Sequence, residues 1–229
     1  MVIGNGMIAK SFDTYQNEYG YLIFASGVSD STTTKIDSFE KEKKLLIESL
    51  NNSQDKIFVY FSTCSVYDET MKNNAYVCHK IEMENLIKNK HNNYHIFRVS
   101  NPIGITANKK TFLNYFIQHI KENTIIELWE NSYRNIIDID DMYAICNYIL
   151  KKGIYRNQVV NIANPENYSI GFIIDTIENH LKTKGNYIKI KKGSSPTINT
   201  DITKEIMNVL GIIIDRNYLE IILNKYFDK

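Results

Sequence analysis

Tyr76 and Lys80 are the residues of this sequence best suited to moving a proton. They stand four apart in Tyr76-Val77-Cys78-His79-Lys80, which reads as the opening turn of a helix, so they share one helix face. A phenol ionises near pH ~10, too high for a base at neutrality, and an ammonium beside it favours the phenolate. Upstream, Phe58-Val59-Tyr60-Phe61-Ser62-Thr63-Cys64-Ser65-Val66-Tyr67 reads as a buried strand ending in small hydroxyl and thiol residues, where Thr63 could supply a third polar group. The same Tyr-to-Lys spacing recurs at Tyr148/Lys152 and Tyr187/Lys191 in a chain with 16 tyrosines, so spacing alone decides nothing. Context separates them: only Tyr76/Lys80 has a hydroxyl-rich strand end before it and an apolar strand, Tyr94 to Val99, after it.

A second candidate opens the chain. Val2-Ile3-Gly4-Asn5-Gly6-Met7-Ile8-Ala9 reads as a short strand, a tight glycine turn and a helix start. Gly4, Asn5, Gly6, Met7 and Ile8 would then bring backbone amides against a phosphate, although a plain strand-to-helix turn would read the same way. Ser26 and Gly27 close the next buried strand at the same edge.

The elements that must position these groups follow from periodicity. After a helix (about Met7 to Glu18) come a strand (Tyr21 to Gly27) and an amphipathic helix, roughly Ile36 to Leu50, with Phe39, Leu45, Leu46 and Leu50 as its stripe. Strand Ile57 to Phe61, helix Ala75 to Lys90 and strand Tyr94 to Val99 continue the alternation, which implies an α/β fold with a parallel sheet covered on both faces. Ligands then sit beyond the carboxyl ends of the strands, where the glycine turn, Thr63 and Asn101 all fall. Past Asn101-Pro102-Ile103-Gly104 the expected elements are a helix (Thr111 to Glu122), a strand (Ile125 to Trp129), a helix (Met142 to Lys151), a strand (Val159 to Ala163), a helix (Ile170 to Leu181), a strand (Tyr187 to Ile190) and two last helices. One domain is expected over 1–229: a nucleotide-binding core at 1–104 plus about 134–163, and a small lobe at about 105–133 and 164–229, with the substrate cleft between them.

The 229 residues are 43% hydrophobic and 23% charged, with a net charge of +1, which argues against a nucleic-acid or membrane surface as the main partner. No apolar run approaches the ~18 residues of a membrane span. Cys64, Cys78 and Cys146 have neither paired nor metal-like spacing and no signal peptide opens the chain, so a cytoplasmic location is expected and no metal site.

Taken together, these segments resemble the extended short-chain dehydrogenase/reductase family, the NAD(P)-dependent sugar-nucleotide epimerases, dehydratases and reductases. Ser62-Thr63-Cys64-Ser65-Val66-Tyr67 is similar to the family's Ser-Ser/Thr-x-x-Val-Tyr strand end, and Tyr76 and Lys80 match its catalytic pair. Phe97-Arg98 and Asn101-Pro102-Ile103-Gly104 resemble the segment whose Asn touches the sugar nucleotide. Arg134 to Asp141 resembles Arg-Asp-Phe-Ile-His-Val-Asp-Asp, where the Arg binds a diphosphate. Asn161-Ile162-Ala163, Ser169, and Asp201 with Lys204 and Leu210-Gly211 echo the C-terminal pattern.

Three departures bear on function. Leu22-Ile23-Phe24-Ala25-Ser26-Gly27 resembles the family's fourth strand yet follows the first helix directly, so the second and third strands are absent, and with them the residue that reads the adenosine ribose. A rival alignment makes Tyr21 to Ala25 the second strand and Asp30 the ribose acid, at roughly the expected ~20-residue offset. The glycine turn reads GxGxxA rather than GxxGxxG, and Asn135 and Asp138 replace the usual Asp and His after Arg134. Cys64-Ser65 stands where a 4,6-dehydratase carries Asp-Glu, which turns the reading away from dehydration. Cys64 is one residue early for the Cys of the 3,5-epimerase/reductases and reads as a small core residue.

The resemblance thus implies a shortened Rossmann-like doubly wound α/β enzyme. It would use NAD or NADP on a nucleotide-activated sugar, by keto-sugar reduction or C4 epimerisation, in surface-glycan precursor synthesis. Thr63, Tyr76 and Lys80 would be catalytic. Gly4, Asn5, Gly6, Met7, Ile8, Ser26 and Gly27, with Tyr76 and Lys80, would hold the cofactor, and Ser65, Asn101 and Arg134 the substrate. In the resembling family the helices matching Ile36 to Leu50 and Ala75 to Lys90 build a dimer interface, which implies a homodimer. The alternative is a sugar-nucleotide-binding protein that keeps the triad but no longer binds a dinucleotide.

Overall fold

The computed structural model describes residues 1–106 and 111–228; residues 107–110 and 229 of the expected lobe lie outside the described residues. The chain starts with a two-residue strand, β1 (Val2–Ile3), and a short helix, α1 (Met7–Ser11). The helix expected to reach Glu18 stops at Ser11 and gives way to a tighter turn at Asp13–Tyr15. Asp13 and Thr14 compete for backbone hydrogen bonds and are poor helix interior residues, while Phe12 and Tyr15 turn inward and are almost fully buried. Then follow β2 (Tyr21–Phe24), α2 (Ile36–Asn51), β3 (Ile57–Thr63), α3 (Ala75–Lys90) and β4 (Tyr94–Val99), close to the expected bounds.

Beyond β4 lie β5 (Asn101–Ile103), α4 (Phe112–Lys121), β6 (Ile125–Trp129), β7 (Tyr133–Asp138), α5 (Ile139–Lys152) and β8 (Gln158–Ile162). The chain ends with β9 (Asn167–Ser169), α6 (Ile170–Leu181), β10 (Asn186–Ile190), α7 (Asp201–Leu210) and α8 (Tyr218–Phe227). Strands β1-β2-β3-β4-β8 form one sheet in that order, every neighbouring pair parallel. This is the expected Rossmann-like α/β architecture in shortened form.

Side chains alternate across the sheet with the period of two that a strand imposes. Leu22, Phe24, Phe58, Tyr60 and Ile96 pack with Leu46 and Leu50 of α2 and Met83 and Ile87 of α3. Ile23, Val59, Phe61, Phe97 and Val99 face the other way, onto Phe12, Tyr15 and the α5 residues Met142, Ile145 and Ile149. All seven residues of β3 are buried, which is why the strand reads as an unbroken apolar run from Ile57 to Phe61 before its two hydroxyl residues. Each buried aromatic or aliphatic side chain contributes roughly 1.5–3 kcal/mol.

The strand order resolves the two alignments. In the two-sided order the fourth strand returns to the far side of the first; here β4 lies beside β3, and β1 is left at the edge. Tyr21–Phe24 is therefore the strand that follows the missing pair, and Asp30 belongs to the loop after it, where its Oδ1 accepts from the Thr32 amide at 2.9 Å. The deletion leaves a trace in the winding. The steps β1 to β2 and β2 to β3 run in one direction, yet α1 packs with α5 on one face while α2 packs with α3 on the other. The two crossovers consequently have opposite hands, against the strong preference for right-handed ones.

A second apolar cluster gathers Leu113, Phe116 and Ile120 of α4, Ile126 and Leu128 of β6, Ile173 and Ile177 of α6, and Leu219, Ile222 and Leu223 of α8. Strands β5, β7 and β9 form a small separate sheet, and β6 pairs with β10. None of β5, β7 and β9 was expected. The sheet sits at the junction, with Ile136 in the second cluster and its neighbour Ile137 in the first. Helix α7, expected in the lobe, packs instead on the main sheet through Ile206 and Met207.

Candidate active site

The end of β3 places Thr63 and Ser65 together. Thr63 Oγ1 accepts from the Ser65 amide at 3.1 Å and lies 3.0 Å from Ser65 Oγ, an ST-type turn that stops the strand. Cys64 turns away, its thiol 3.1 Å from the Arg98 carbonyl. Burial pushes that thiol up to about 12, so it is a core residue and not a nucleophile at neutral pH.

Helix α3 is started by Asn74, whose Oδ1 accepts from the amides of Tyr76 and Val77 at 2.9 and 3.4 Å. The cap fixes Tyr76 in the first turn and brings Lys80 one turn on, its ammonium 5.9 Å from the centre of the Tyr76 ring. Among the described residues the Tyr76 hydroxyl has no hydrogen-bond partner. Lys80 is otherwise engaged: Nζ lies 3.0 Å from Glu42 Oε1 and 3.1 Å from the Tyr60 hydroxyl. Glu42, from α2, also accepts from Tyr60 at 2.9 Å and from the Val28 amide at 2.7 Å. His79 Nε2 stands 3.1 Å from its other oxygen, close but not aligned as a hydrogen bond. Burial alone would raise the Glu42 carboxyl; the His79 ring, the Lys80 charge and the Val28 amide outweigh it and hold it down at about 2. Burial and the Glu42 charge keep the Tyr60 phenol well above its ordinary value, so it serves as a neutral donor.

The glycine turn lies against the ends of β2 and β5. Gly4 has a φ of +128°, and a Cβ there would overlap the Ala25 carbonyl, so only glycine fits. Nothing lies within 4 Å of where a Cβ of Gly6 would stand, so this side of the turn, with Asn5, is open. A Cβ on Gly104 would meet Met7 Sδ at 3.0 Å, which locks the turn to the segment after β5. Ile8 is half-buried behind it. A Cβ on Gly27 would stand 2.5 Å from Lys80 Nζ. Thus Gly4, Met7, Ser26, Gly27, Lys80 and Tyr76 converge on one edge. For a dinucleotide the fit is good at the pyrophosphate, where the turn is open. At the adenosine β1 is the outer strand and offers no further strand as a wall.

On the opposite side Arg134, from β7, lies over the Phe112 ring at 5.7 Å and donates to the Tyr133 carbonyl at 2.9 Å. Asp68 is near it. Burial would raise the Asp68 carboxyl, but bonds from Thr70 and Ser194, with the Arg134 charge, bring it below the usual range. The Asn101 side chain donates to the Asn135 carbonyl at 2.7 Å and so ties β5 to β7. Asn135 and Asp138 have structural work: Asn135 bonds to the Asn164 carbonyl and to Asn167, and Asp138 caps α5 and accepts from Lys225 and Tyr226.

Glu42, Asp68 and Tyr60 were not expected at the site. A signal for Glu42 was present: with Leu46, Ser49 and Leu50 it falls on the inward stripe of α2, where an acid requires a buried partner. Among the described residues no cluster has the makings of a metal site, and no helix is long and apolar enough to cross a membrane.

No curated protein matches the chain. Solved structures do. UDP-N-acetylglucosamine 4-epimerase from Methanobrevibacter ruminantium M1, in complex with UDP-N-acetylmuramic acid, is 16% identical with a TM-score of 0.69, over 90% of this chain and 74% of that one. For dTDP-4-dehydrorhamnose reductase from Bacillus anthracis str. Ames, in complex with NADP, the values are 19%, 0.65, 97% and 85%. For UDP-glucuronic acid 4-epimerase from Bacillus cereus, in complex with UDP-glucuronic acid and NAD, they are 18%, 0.65, 91% and 74%. At these identities the likeness is one of fold. The sequence carries the classification further: a family model matches residues 8–163, from the first helix to the end of the main sheet, and the chain belongs to the NAD dependent epimerase/dehydratase family.

Proposed function

We propose that this protein is an NAD(P)-dependent enzyme that reduces a keto group of, or epimerises C4 in, a nucleotide-activated sugar. The observation that carries the reading is the placement of Tyr76. A cap sets it in the first turn of α3, its hydroxyl has no partner among the described residues, Lys80 lies on the same face, and Thr63 ends the adjacent strand. A bound nicotinamide cofactor supplies or takes up hydride at the reacting carbon. In the reductive direction Tyr76 gives its proton to the carbonyl oxygen as that carbon becomes an alcohol; in the oxidative direction it takes the hydroxyl proton. Thr63 hydrogen-bonds the reacting oxygen, and Ser65 beside it contacts the sugar. The amides of the turn from Gly4 to Ile8 would take the cofactor's pyrophosphate, Ser26 and Gly27 would line the cofactor beside them, and Lys80 would hold the nicotinamide ribose hydroxyls. Arg134 takes a substrate phosphate through its fork of donors, with Asn101 at the same wall. The second apolar cluster is the substrate lobe.

Tyr76→Phe tests the assignment. Turnover of nucleotide keto-sugars should fall at least ~10²-fold with an unchanged unfolding curve; retained turnover would overturn it. A second reading, a nucleotide-sugar-binding protein without dinucleotide, draws on the edge position of β1. Calorimetric titration of the stripped protein with NADH and NADPH separates the two, since that reading requires sugar-nucleotide binding without cofactor uptake. A role in surface-glycan precursor synthesis, a cytoplasmic location and homodimerisation through α2 and α3 complete the proposal. Sedimentation equilibrium tests the dimer.

A further inference from the structure

The group buried between α2, α3 and the turn after β2 is larger than a catalytic lysine needs. Glu42 and Lys80 have side chains only 2% and 4% exposed, so their charges meet almost out of water. The ammonium has three donors. One is spent on Glu42 and one on Tyr60, and its tip lies against Gly27, where no side chain has room. Glu42 is itself anchored from three elements: the Val28 amide after β2, the Tyr60 hydroxyl of β3, and His79 and Lys80 of α3. Sugar hydroxyls are neutral acceptors. They exchange poorly for a buried carboxylate, whose hydrogen bonds to a cation are roughly twice as strong as neutral ones. Drawing Lys80 away would also leave a buried carboxylate short of its counter-charge.

We propose that Glu42 is a positioning residue that withholds Lys80 from the cofactor: the Glu42–Lys80 pair opposes docking of the nicotinamide ribose, and this chain binds NAD(P) more weakly than it would with a neutral residue at position 42. The inference rests on the reading of Tyr76 and Lys80 given above. It assigns to α2 a part in setting cofactor affinity. A purely structural ion pair would lower stability when broken but would not tighten binding of a ligand.

The test is titration of wild type and Glu42→Gln with NADH and NADPH, alongside thermal unfolding with and without cofactor. Glutamine keeps the shape and the Tyr60 contact but not the charge. It should melt earlier without cofactor, bind NADH or NADPH about tenfold tighter, and show a larger rise in melting temperature on saturation. Adding Lys80→Met to Glu42→Gln should cancel the gain, because the freed ammonium is its source. If Glu42→Gln does not fold, Glu42→Asp, which keeps the charge but shortens its reach, should show a smaller gain of the same sign. Binding by wild type that these variants leave unchanged or weaken overturns the inference alone, as does a gain that survives Lys80→Met. Absence of binding by every protein, all folded, overturns it together with the cofactor reading.

Discussion

Arg98 and Glu84 meet as two forks: Nε donates to Oε1 and Nη2 to Oε2, each at 2.8 Å, joining β4 to the middle of α3. Ser62 Oγ adds a bond to Oε1 from β3 at 2.6 Å. Burial would raise the Glu84 carboxyl, but the Arg98 and Ser62 bonds more than offset this and lower it. The helix that carries Tyr76 and Lys80 is thereby pinned to the two strands whose ends form the site. Arg98→Lys loses the planar fork and should cost about 1–2 kcal/mol. Arg98→Met leaves the buried Glu84 carboxylate with Ser62 and only the more distant, partly exposed Lys88 ammonium at 3.4 Å, and should cost up to about 3–5 kcal/mol. Urea unfolding of the two variants checks both values, and an Arg98→Met protein as stable as wild type would refute the account.

Asn135 and Asn164 hold each other reciprocally. Asn135 Nδ2 donates to the Asn164 carbonyl at 2.8 Å, and the Asn164 amide donates to Asn135 Oδ1 at 2.9 Å. The same Nδ2 faces the Glu166 carbonyl and Asn167 Oδ1. The resembling family carries Asp here, which cannot donate when ionised. Asn135→Asp should therefore destabilise this protein by about 2–4 kcal/mol, the cost of a buried carboxylate turned toward acceptors. Thermal unfolding at neutral pH reads the loss directly.

These two networks show what a sequence displays and what it hides. Strands β2, β3 and β4 were legible because both their faces are largely buried and each is rich in aromatic and β-branched residues, with unbroken apolar runs at Tyr21 to Phe24 and Ile57 to Phe61. The missing pair of strands was legible because Leu22 to Gly27 resembles the family's fourth strand yet follows the first helix directly. Strands β5 and β9, of three residues each, were too short to show a period, and in β7 the polar Arg134, Asn135 and Asp138 break the apolar pattern; Asn101, Asn135 and Asn164 hold these strands through side-chain to backbone bonds that leave no periodicity. Glu42 was hidden differently: its position on the stripe of α2 was visible, but its partners come from three other segments. Tyr76 and Lys80 were found by spacing and context, yet the engagement of Lys80 by an acid from α2 is a tertiary fact.

His95 should give stability a distinct pH dependence. Burial first, then the charge of Arg156, lowers its pKa from the ordinary 6.5 to about 4. The unfolded chain therefore binds a proton between pH ~6.5 and ~4 that the folded chain refuses. This contribution is fully present above pH ~6.5 and is lost as the pH falls toward 4, up to about 3 kcal/mol for this group. Glu42, depressed to about 2, loses its contribution in a lower window, from about pH 4.3 to 2. His95→Leu should flatten the upper window and spare the lower one. Urea midpoints measured from pH 7.5 down to about 2 distinguish the two, and an unchanged upper slope would refute the assignment.

The two glycines of the opening turn should fail in different ways. Gly4 has the positive φ and faces the Ala25 carbonyl, so Gly4→Ala forces both a strained backbone and a steric overlap. It should lower stability by about 1–3 kcal/mol or more, whatever ligand is present. Gly6 has neither constraint, since its φ is −74° and a Cβ there meets nothing within 4 Å. Gly6→Ala should leave the unfolding curve within about 0.5 kcal/mol of wild type, and removing a glycine stabilises slightly where the backbone allows it. The methyl would stand in the open space the proposal assigns to a pyrophosphate, so NADH or NADPH binding should weaken while the fold is spared. Stability and affinity measured on the same two variants thus separate a glycine required by the chain from one required by the ligand. Equal affinity in Gly6→Ala and wild type would remove the turn from the cofactor site.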